Sequence, residues 1–244
     1  MAPKAAFITG GNGITGCALL EHLTKTDATE WSKIIVTSRS PFKTVVDDDR
    51  VTFIALDFTL DPARLIESMQ PVCADVTHAY FSSYVHRDDF QELNKANVDL
   101  FDNFLQSLLA LTSKLACCLF QTGEPRRESP IGNFYFLVCR ELGAEAKMPT
   151  NQSYWEGYDG VSDARLIADI SIWASTEPHA GNQAINVANG DYFSWRHMWP
   201  RPAAYFGAKA SSDQVFTQPR PKEGERHQEF RLNRPQSCRQ NTGS

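Results

Sequence analysis

The chain has 244 residues, of which 42% are hydrophobic and 22% charged, and its formal net charge is −5. This composition is typical of a globular protein that buries a large core. The acidic balance disfavours nucleic acid as a partner. No apolar stretch approaches the roughly 20 residues that cross a bilayer, so we expect no membrane association. The start of the chain has no signal-peptide pattern and the cysteines form no Cys-x-x-Cys pair, which predicts a cytoplasmic protein without a metal site.

The first half of the chain alternates between short apolar runs and amphipathic stretches. The runs predict strands at Ala5–Thr9, Lys33–Thr37, Val51–Leu56, Thr77–Ser82 and Leu115–Gln121. The stretches between them predict helices over Ile14–Leu23, Asp61–Met69 and Asp88–Thr112. Asp61 is expected to cap its helix, with Pro62 in the first helical position. Strands separated by helices indicate βαβ units, and right-handed crossovers then give an α/β fold with a Rossmann-type, doubly wound parallel sheet.

The second half predicts a smaller and mostly helical region. Helices are expected over Leu137–Ala146, Val161–Ser175 and Ser194–Phe206, a strand over Ala184–Ala188 and a loop over Glu124–Gly132. Ser194 is expected to cap the last helix, and Pro200 and Pro202 to bend or break it. We therefore predict a nucleotide-binding domain over residues 1–123 and the remains of a catalytic and substrate-binding region over 124–216. Residues 217–244, rich in Pro, Arg, Gln and Glu, predict a disordered tail.

A glycine-rich loop follows the first predicted strand and opens the first predicted helix. Its sequence is Gly10-Gly11-Asn12-Gly13-Ile14-Thr15-Gly16. Glycine permits the backbone angles of the turn and lets a pyrophosphate approach the main chain, while the helix N-terminus offers free N–H groups. We predict that Gly10, Gly11, Asn12, Gly13, Ile14 and Gly16 bind a dinucleotide; the alternative is a glycine-rich turn without a ligand.

The second strand ends in Ser38-Arg39-Ser40, where enzymes that use NAD usually carry Asp or Glu. An arginine between two hydroxyl residues suits a 2′-phosphate instead, so NADP(H) is the predicted cofactor. A solvated surface arginine is the alternative.

Ligands of open α/β sheets bind at the carboxyl ends of the strands, and several polar residues lie at the ends of the later ones. Asp57 and Phe58 follow the third strand, where such folds contact the adenine. Ser82 and Ser83 end the fourth strand, and Gln121 ends the fifth. An aspartate of a turn is the alternative for Asp57, and an ordinary turn is the alternative for the two serines.

The chain resembles the extended short-chain dehydrogenase/reductase superfamily, and within it a fungal version of the progesterone 5β-reductase/iridoid synthase-like group. The likeness covers most of residues 5–222. It rests on blocks in the same order: Ile8–Gly16, Thr37–Ser40, Phe120–Gly123, Asn133-Phe134-Tyr135-Phe136, Ser162–Ala168, Asn186–Asp191 and Trp195–Trp199.

The resemblance implies NADPH-dependent reduction of an activated C=C bond, or of a carbonyl, in a small molecule of secondary metabolism. A tyrosine hydroxyl holds the substrate oxygen as negative charge develops there. Tyr135 matches the first tyrosine of the family's Asn-Phe-Tyr-Tyr segment and is the predicted catalytic residue; a partly buried loop tyrosine is the alternative. The sequence leaves a homodimer open.

Two departures from the family pattern affect this interpretation. In the family, Thr-Gly is followed closely by Lys-His-Tyr, whose lysine is catalytic, but here Gly123 is followed by Glu124-Pro125-Arg126. The 13 residues between Gly123 and Leu137 are too few for a strand and two crossovers, which take a dozen or more residues each. The sequence after Glu225 also differs. We therefore infer internal deletions and an altered C-terminal segment.

These departures keep two other functions open. One is a catalytically impaired or non-catalytic dinucleotide-binding protein. The other is an epimerase or dehydratase of the same superfamily. It is weaker because such enzymes usually carry Tyr-x-x-x-Lys on one helix, whereas Tyr135 is followed four residues later by Cys139.

Overall fold

The computed structural model describes residues 3–42, 44–87, 89–121 and 131–216. Strands occupy Lys4–Ile8 (β1), Trp31–Ser38 (β2), Val51–Ala55 (β3), His78–Phe81 (β4), Cys117–Phe120 (β5), Tyr158–Asp159 (β6) and Phe193–Ser194 (β7). Helices occupy Ile14–Thr24 (α1), Pro62–Cys73 (α2), Phe90–Leu111 (α3), Ile131–Glu141 (α4), Gln152–Glu156 (α5), Ala164–Thr176 (α6), Trp195–Met198 (α7) and Pro200–Tyr205 (α8). In the described ranges no helix is both long and apolar enough to cross a membrane.

The chain divides into two compact units. The first comprises Met1–Arg126 and Val161–Asn189, and the second Arg127–Gly160 and Gly190–Ser244. The division is therefore not a single cut near residue 123, because the segment that contains α6 groups with the Rossmann unit.

The first unit contains a five-stranded parallel sheet in the order β3-β2-β1-β4-β5. The strand order reverses between β1 and β4, which is where open α/β sheets bind ligands. This arrangement confirms the predicted doubly wound parallel sheet.

Helices cover both faces of this sheet because adjacent residues of a strand point to opposite sides. On one face Phe7 packs with Leu65 of α2 and Phe104 of α3. On the other face Ile8 packs with Leu19 of α1 and Ala168 of α6. Because α6 buries its apolar side in this second cluster, it is part of the core of the first unit.

Local capping sets several helix boundaries as predicted. The Asp61 carboxylate accepts a hydrogen bond from the N–H of Ala63 at 2.8 Å, and Pro62 takes the first position of α2. Helix α3 begins at Phe90 rather than at Asp88, because the carboxylate of Asp89 accepts from the N–H groups of Gln91 and Glu92.

The strand predicted over Ala184–Ala188 is wrong, since no strand forms over these residues and they pair with no described strand. The segment is instead fixed by isolated contacts to the start of α6. The Ser162 hydroxyl donates to the carbonyl of Val187 at 2.7 Å, and the N–H of Asp163 donates to the Asn189 side chain at 2.9 Å.

The second unit is mostly helical around a core that contains Phe136, Trp155 and Trp199. Helix α4 starts six residues before the predicted Leu137 and ends at Glu141, where Gly143 adopts a left-handed φ of +62°. The short helix α5 and the antiparallel pair β6–β7 were not predicted.

The predicted helix over Ser194–Phe206 is broken before Pro200 into α7 and α8, as the prolines predict. Ser194 precedes α7, but its hydroxyl makes no capping bond to the main chain. It lies 2.7 Å from Nδ1 of His197 instead.

Candidate dinucleotide-binding site

A cleft of about 310 Å³ lies at the carboxyl ends of β1, β2, β3 and β4 in the first unit. Nine of the predicted cofactor residues line it: Gly10, Asn12, Gly13, Ser38, Arg39, Ser40, Phe58, Ser82 and Ser83. The structure thus brings together residues from four separate strand ends, as the parallel sheet requires.

Gly10 and Gly16 of the glycine loop are packed so tightly against main-chain atoms that neither position has room for a side chain. Gly10 has a left-handed φ of +69°, and a Cβ there would lie 2.8 Å from the carbonyl oxygen of Ser82. A Cβ on Gly16 would lie 2.3 Å from the carbonyl oxygen of Gly10. Gly11 is buried beneath the cleft, where its N–H donates to the Thr37 carbonyl at 2.8 Å. Gly11 and Gly16 therefore shape the loop without lining the cleft.

The N-terminus of α1 is left open to an anion. Its N-cap is Gly13, which has no side chain to bond the first N–H groups, and the first turn contains no acidic residue. Ile14 begins the helix and is 62% exposed, but its side chain does not line the cleft. Exposed N–H groups at the positive end of a helix dipole fit a pyrophosphate.

Arg39 is the only charged residue in the cleft lining that the structure describes. Its side chain is exposed and forms no ion pair with any described residue. Ser38 and Ser40 lie on either side of it in the lining, so a cation and hydroxyl groups meet where the ribose end of a dinucleotide is expected. This donor set fits a 2′-phosphate.

Ser82 and Ser83 are both held by Thr9. The Ser82 hydroxyl donates to the Thr9 carbonyl at 2.6 Å, and the N–H groups of both serines donate to the Thr9 hydroxyl. The Ser82 hydroxyl is thereby committed to the main chain, whereas the Ser83 hydroxyl has no hydrogen-bond partner among the described residues.

Asp57 and Gln121 do not line the cleft. The Asp57 carboxylate accepts from the N–H of Thr59 at 3.0 Å and from its hydroxyl at 2.8 Å, which is the turn that the sequence left open. Phe58 is 3% exposed and stands edge-on to Phe104, so it contributes to the core as well as to the cleft. The side-chain oxygen of Gln121 is buried and has no hydrogen-bond partner among the residues that the structure describes.

Four apolar or aromatic residues of the lining were not predicted from the sequence: Leu56, Tyr84, Val85 and Leu100. Tyr84 and Val85 directly follow the two predicted serines, so the end of β4 was a usable signal. Val85 is fixed by Asn97 of α3, which accepts from its N–H at 2.9 Å and donates to its carbonyl at 2.8 Å.

Tyr135 lies in α4 of the second unit rather than in a loop. Its hydroxyl donates to the main-chain carbonyl of Lys147 at 2.8 Å. Burial and a hydrogen bond with the Cys139 thiol raise the pKa of Tyr135 above its ordinary value. The group is therefore a hydrogen-bond donor that keeps its proton.

One tyrosine does have a lysine four residues later, but the two do not share a helix. Helix α8 ends at Tyr205, and Gly207 then adopts a left-handed φ of +72°. Lys209 instead forms an isolated bridge with Glu145. The Tyr-x-x-x-Lys arrangement of an epimerase is thus not formed at this position.

These observations define a Rossmann-type dinucleotide-binding protein. Short chain dehydrogenase gsfE of Penicillium aethiopicum is 44% identical over 287 aligned positions, which cover 91% of this chain and 76% of that protein. The chain therefore belongs to the short-chain dehydrogenase family. No protein-family model matches it.

More distant relatives confirm the predicted group. The (S)-8-oxocitronellyl enol synthase ISY2 of Nepeta cataria is 25% identical and covers 84% of this chain and 68% of its own length. The 3-oxo-Delta(4,5)-steroid 5-beta-reductase of Arabidopsis thaliana is 26% identical, with 84% and 69% covered. The fold is also that of the Bordetella bronchiseptica enzyme WbmF in complex with NAD+ (TM-score 0.62, 13% identity, 89% of this chain and 83% of that one).

The alignment with the Penicillium protein also supports the inferred internal deletions. It spans 287 positions, whereas 91% of 244 residues is about 222, so about 65 aligned positions have no residue from this chain.

Proposed function

We propose that the cleft of the first unit binds NADP(H) and that the chain is an NADPH-dependent reductase of a C=C bond activated by a carbonyl group. The observation that carries the proposal is the convergence, in one cleft, of the glycine loop, the uncapped N-terminus of α1 and Arg39. The first two suit a pyrophosphate shared by all nicotinamide dinucleotides, and Arg39 suits the extra phosphate of NADP(H).

The residues of the cleft would hold the cofactor by charge and by close backbone approach. N–H groups at the start of α1 would bind the pyrophosphate, since the glycines bring no Cβ between them and the ligand. Arg39 would bind the 2′-phosphate, and Ser83 would offer a hydroxyl toward the nicotinamide end of the crevice.

The substrate class follows from the relatives' names. A 3-oxo-Δ(4,5) steroid is a ketone conjugated with a C=C bond, and the relative's name describes its reduction. Bound NADPH supplies a hydride to such a bond. A tyrosine hydroxyl donates a hydrogen bond to the carbonyl oxygen of the substrate, where negative charge develops. We assign this role to Tyr135, whose hydroxyl would exchange the Lys147 carbonyl for the substrate oxygen.

The direct test is to incubate the protein with NADPH and a panel of small enones and enals. Oxidation of NADPH is measured as the loss of absorbance at its nicotinamide band. We expect turnover with at least one member and reduction of its C=C bond in the isolated product. Tight NADPH binding without turnover on any member contradicts the reductase proposal but not the cofactor site.

Tyr135→Phe removes the proposed donor without removing the ring, and we expect kcat/KM to fall about 100-fold, the effect of losing one oxyanion donor. NADPH affinity should not change. Because burial raises the pKa of Tyr135, its proton is kept to a higher pH than in a free tyrosine, so kcat/KM should not decline through its loss below about pH 10.

The control is Tyr205→Phe, since Tyr205 is 83% exposed in the same unit. Equal losses of kcat/KM in both variants would remove Tyr135 from the proposed role. A rate that falls with an apparent pKa near 7 would also contradict this role.

A specific observation favours a second candidate function, a dinucleotide-binding protein with impaired catalysis. The Tyr135 hydroxyl is bonded to the main-chain carbonyl of Lys147, and Glu124-Pro125-Arg126 stands where the family has the Lys-His-Tyr that contains its catalytic lysine. The triple variant E124K/P125H/R126Y restores the family's Lys-His-Tyr. If this candidate is right, the variant should gain about 100-fold or more in kcat/KM, the lower end of the usual contribution of a proton-transfer group, whereas an already efficient wild type should not.

A further inference from the structure

The side chain of Asn12 joins the glycine loop to the segment that follows β2. Its amide nitrogen lies 3.1 Å from Oγ of Ser38, 3.0 Å from Oγ of Ser40 and 3.0 Å from the carbonyl oxygen of Pro41. A carbonyl oxygen can only accept, so the NH₂ group of the amide, and not its oxygen, faces this segment. The orientation of the amide is therefore fixed by chemistry.

The two serines of this segment have different roles. The Ser38 hydroxyl donates to the carbonyl of Ser40 at 2.5 Å, so its proton is used within the protein. The Ser40 hydroxyl accepts from Asn12, which leaves its own proton for another acceptor. No described residue takes that proton, and Ser40 is exposed in the cleft lining. Ser40 is thus the hydroxyl that can donate to a phosphate.

Arg39 stands between these two anchored serines. Between Ser38 and Val51 the described residues form no helix or strand, so regular backbone hydrogen bonding does not fix the segment. The contacts of Asn12 restrict where the Arg39 main chain lies, and a pre-ordered cation loses less freedom when it binds an anion.

We propose that Asn12 is a positioning residue that sets the preference of the cleft for the 2′-phosphorylated coenzyme, by holding Ser40 and Arg39 in their binding arrangement. This inference rests on the proposed NADP(H) site. In this proposal Asn12 positions the segment that follows β2. It does not act by binding the pyrophosphate, which NADH and NADPH share.

The test compares Asn12→Ala with the wild type by calorimetric titration of NADPH and of NADH. We expect NADPH affinity to fall about tenfold, equivalent to one hydrogen bond to a charged group, and NADH affinity to change less than about twofold. The side chain of the isosteric variant Asn12→Asp cannot donate to the same oxygens. Its NADPH affinity should therefore fall at least as much as that of Asn12→Ala. Asn189→Ala, which removes an amide outside the cleft, should change neither affinity.

A double-mutant cycle shows whether Asn12 acts through its neighbours. In an Arg39→Ala, Ser40→Ala background, Asn12→Ala should cause less than about a twofold further loss of NADPH affinity, because nothing is left to position. Full additivity, or an equal loss for NADPH and NADH, overturns the inference while the proposed cofactor site stands. A wild type without preference for NADPH would overturn the proposed cofactor specificity and this inference together.

Discussion

Gly16→Ala is expected to destabilise the protein and to abolish its stabilisation by NADPH. The new Cβ would lie 2.3 Å from the carbonyl oxygen of Gly10 and 3.0 Å from the Cα of Gly11. Both are main-chain atoms of the loop that is proposed to hold the pyrophosphate. The steric clash can therefore be relieved only if the loop moves. Overpacking of this kind costs about 1–3 kcal/mol, which corresponds to a melting temperature lower by about 2–12 °C in a chain of this size.

The measurement is thermal unfolding with and without NADPH. A ligand at 100 times its Kd stabilises the native state by about 2.7 kcal/mol, so the wild type should show a clear rise in melting temperature and the variant none. Gly160→Ala is the control, since a Cβ there would lie 3.6 Å from the nearest atom, in ordinary contact. A Gly16→Ala protein that keeps both its stability and its response to NADPH would refute this view of the loop.

The glycine loop was predictable because its position is marked locally. Gly10 follows a strand and Gly16 lies in the first turn of a helix, both of which the apolar pattern predicts. The contact that excludes a side chain at Gly10 is not local, since it is with the distant Ser82 carbonyl. The caps are also marked locally, since Asp61 and Pro62 act within one turn of α2. Features that depend on neighbours a few residues away are present in the sequence itself.

Other features depend on partners far along the chain. Helix α6 has a clear amphipathic pattern, but nothing in that pattern says that Ala168 packs beside Leu19, more than a hundred residues earlier. Val85 is held in the lining by Asn97 of α3, a contact that the sequence around β4 does not reveal.

Arg39→Ala is expected to lower NADPH affinity by about 10- to 100-fold and to leave NADH affinity nearly unchanged. A hydrogen bond to a charged group contributes about 1.5–3 kcal/mol, and each 1.4 kcal/mol is a factor of ten in Kd. Since Arg39 is the only charged residue among the described residues that line the cleft, no neighbouring cation there can substitute for it. Arg39→Lys keeps the positive charge but lacks the paired donors of a guanidinium. Its NADPH affinity should therefore lie between that of the wild type and that of Arg39→Ala.

Salt dependence separates a direct charge contact from a general loss of structure. Arg39 is exposed, so its attraction to a 2′-phosphate is screened as ionic strength rises, and wild-type NADPH affinity should fall with salt more steeply than that of Arg39→Ala. Arg64→Ala removes the same charge from an exposed position in α2, away from the cleft, and should match the wild type in both affinity and salt response. If Arg39→Ala weakened NADH and NADPH equally, the arginine would contact the shared part of the coenzyme, and the basis for NADP(H) preference would have to lie elsewhere in the cleft.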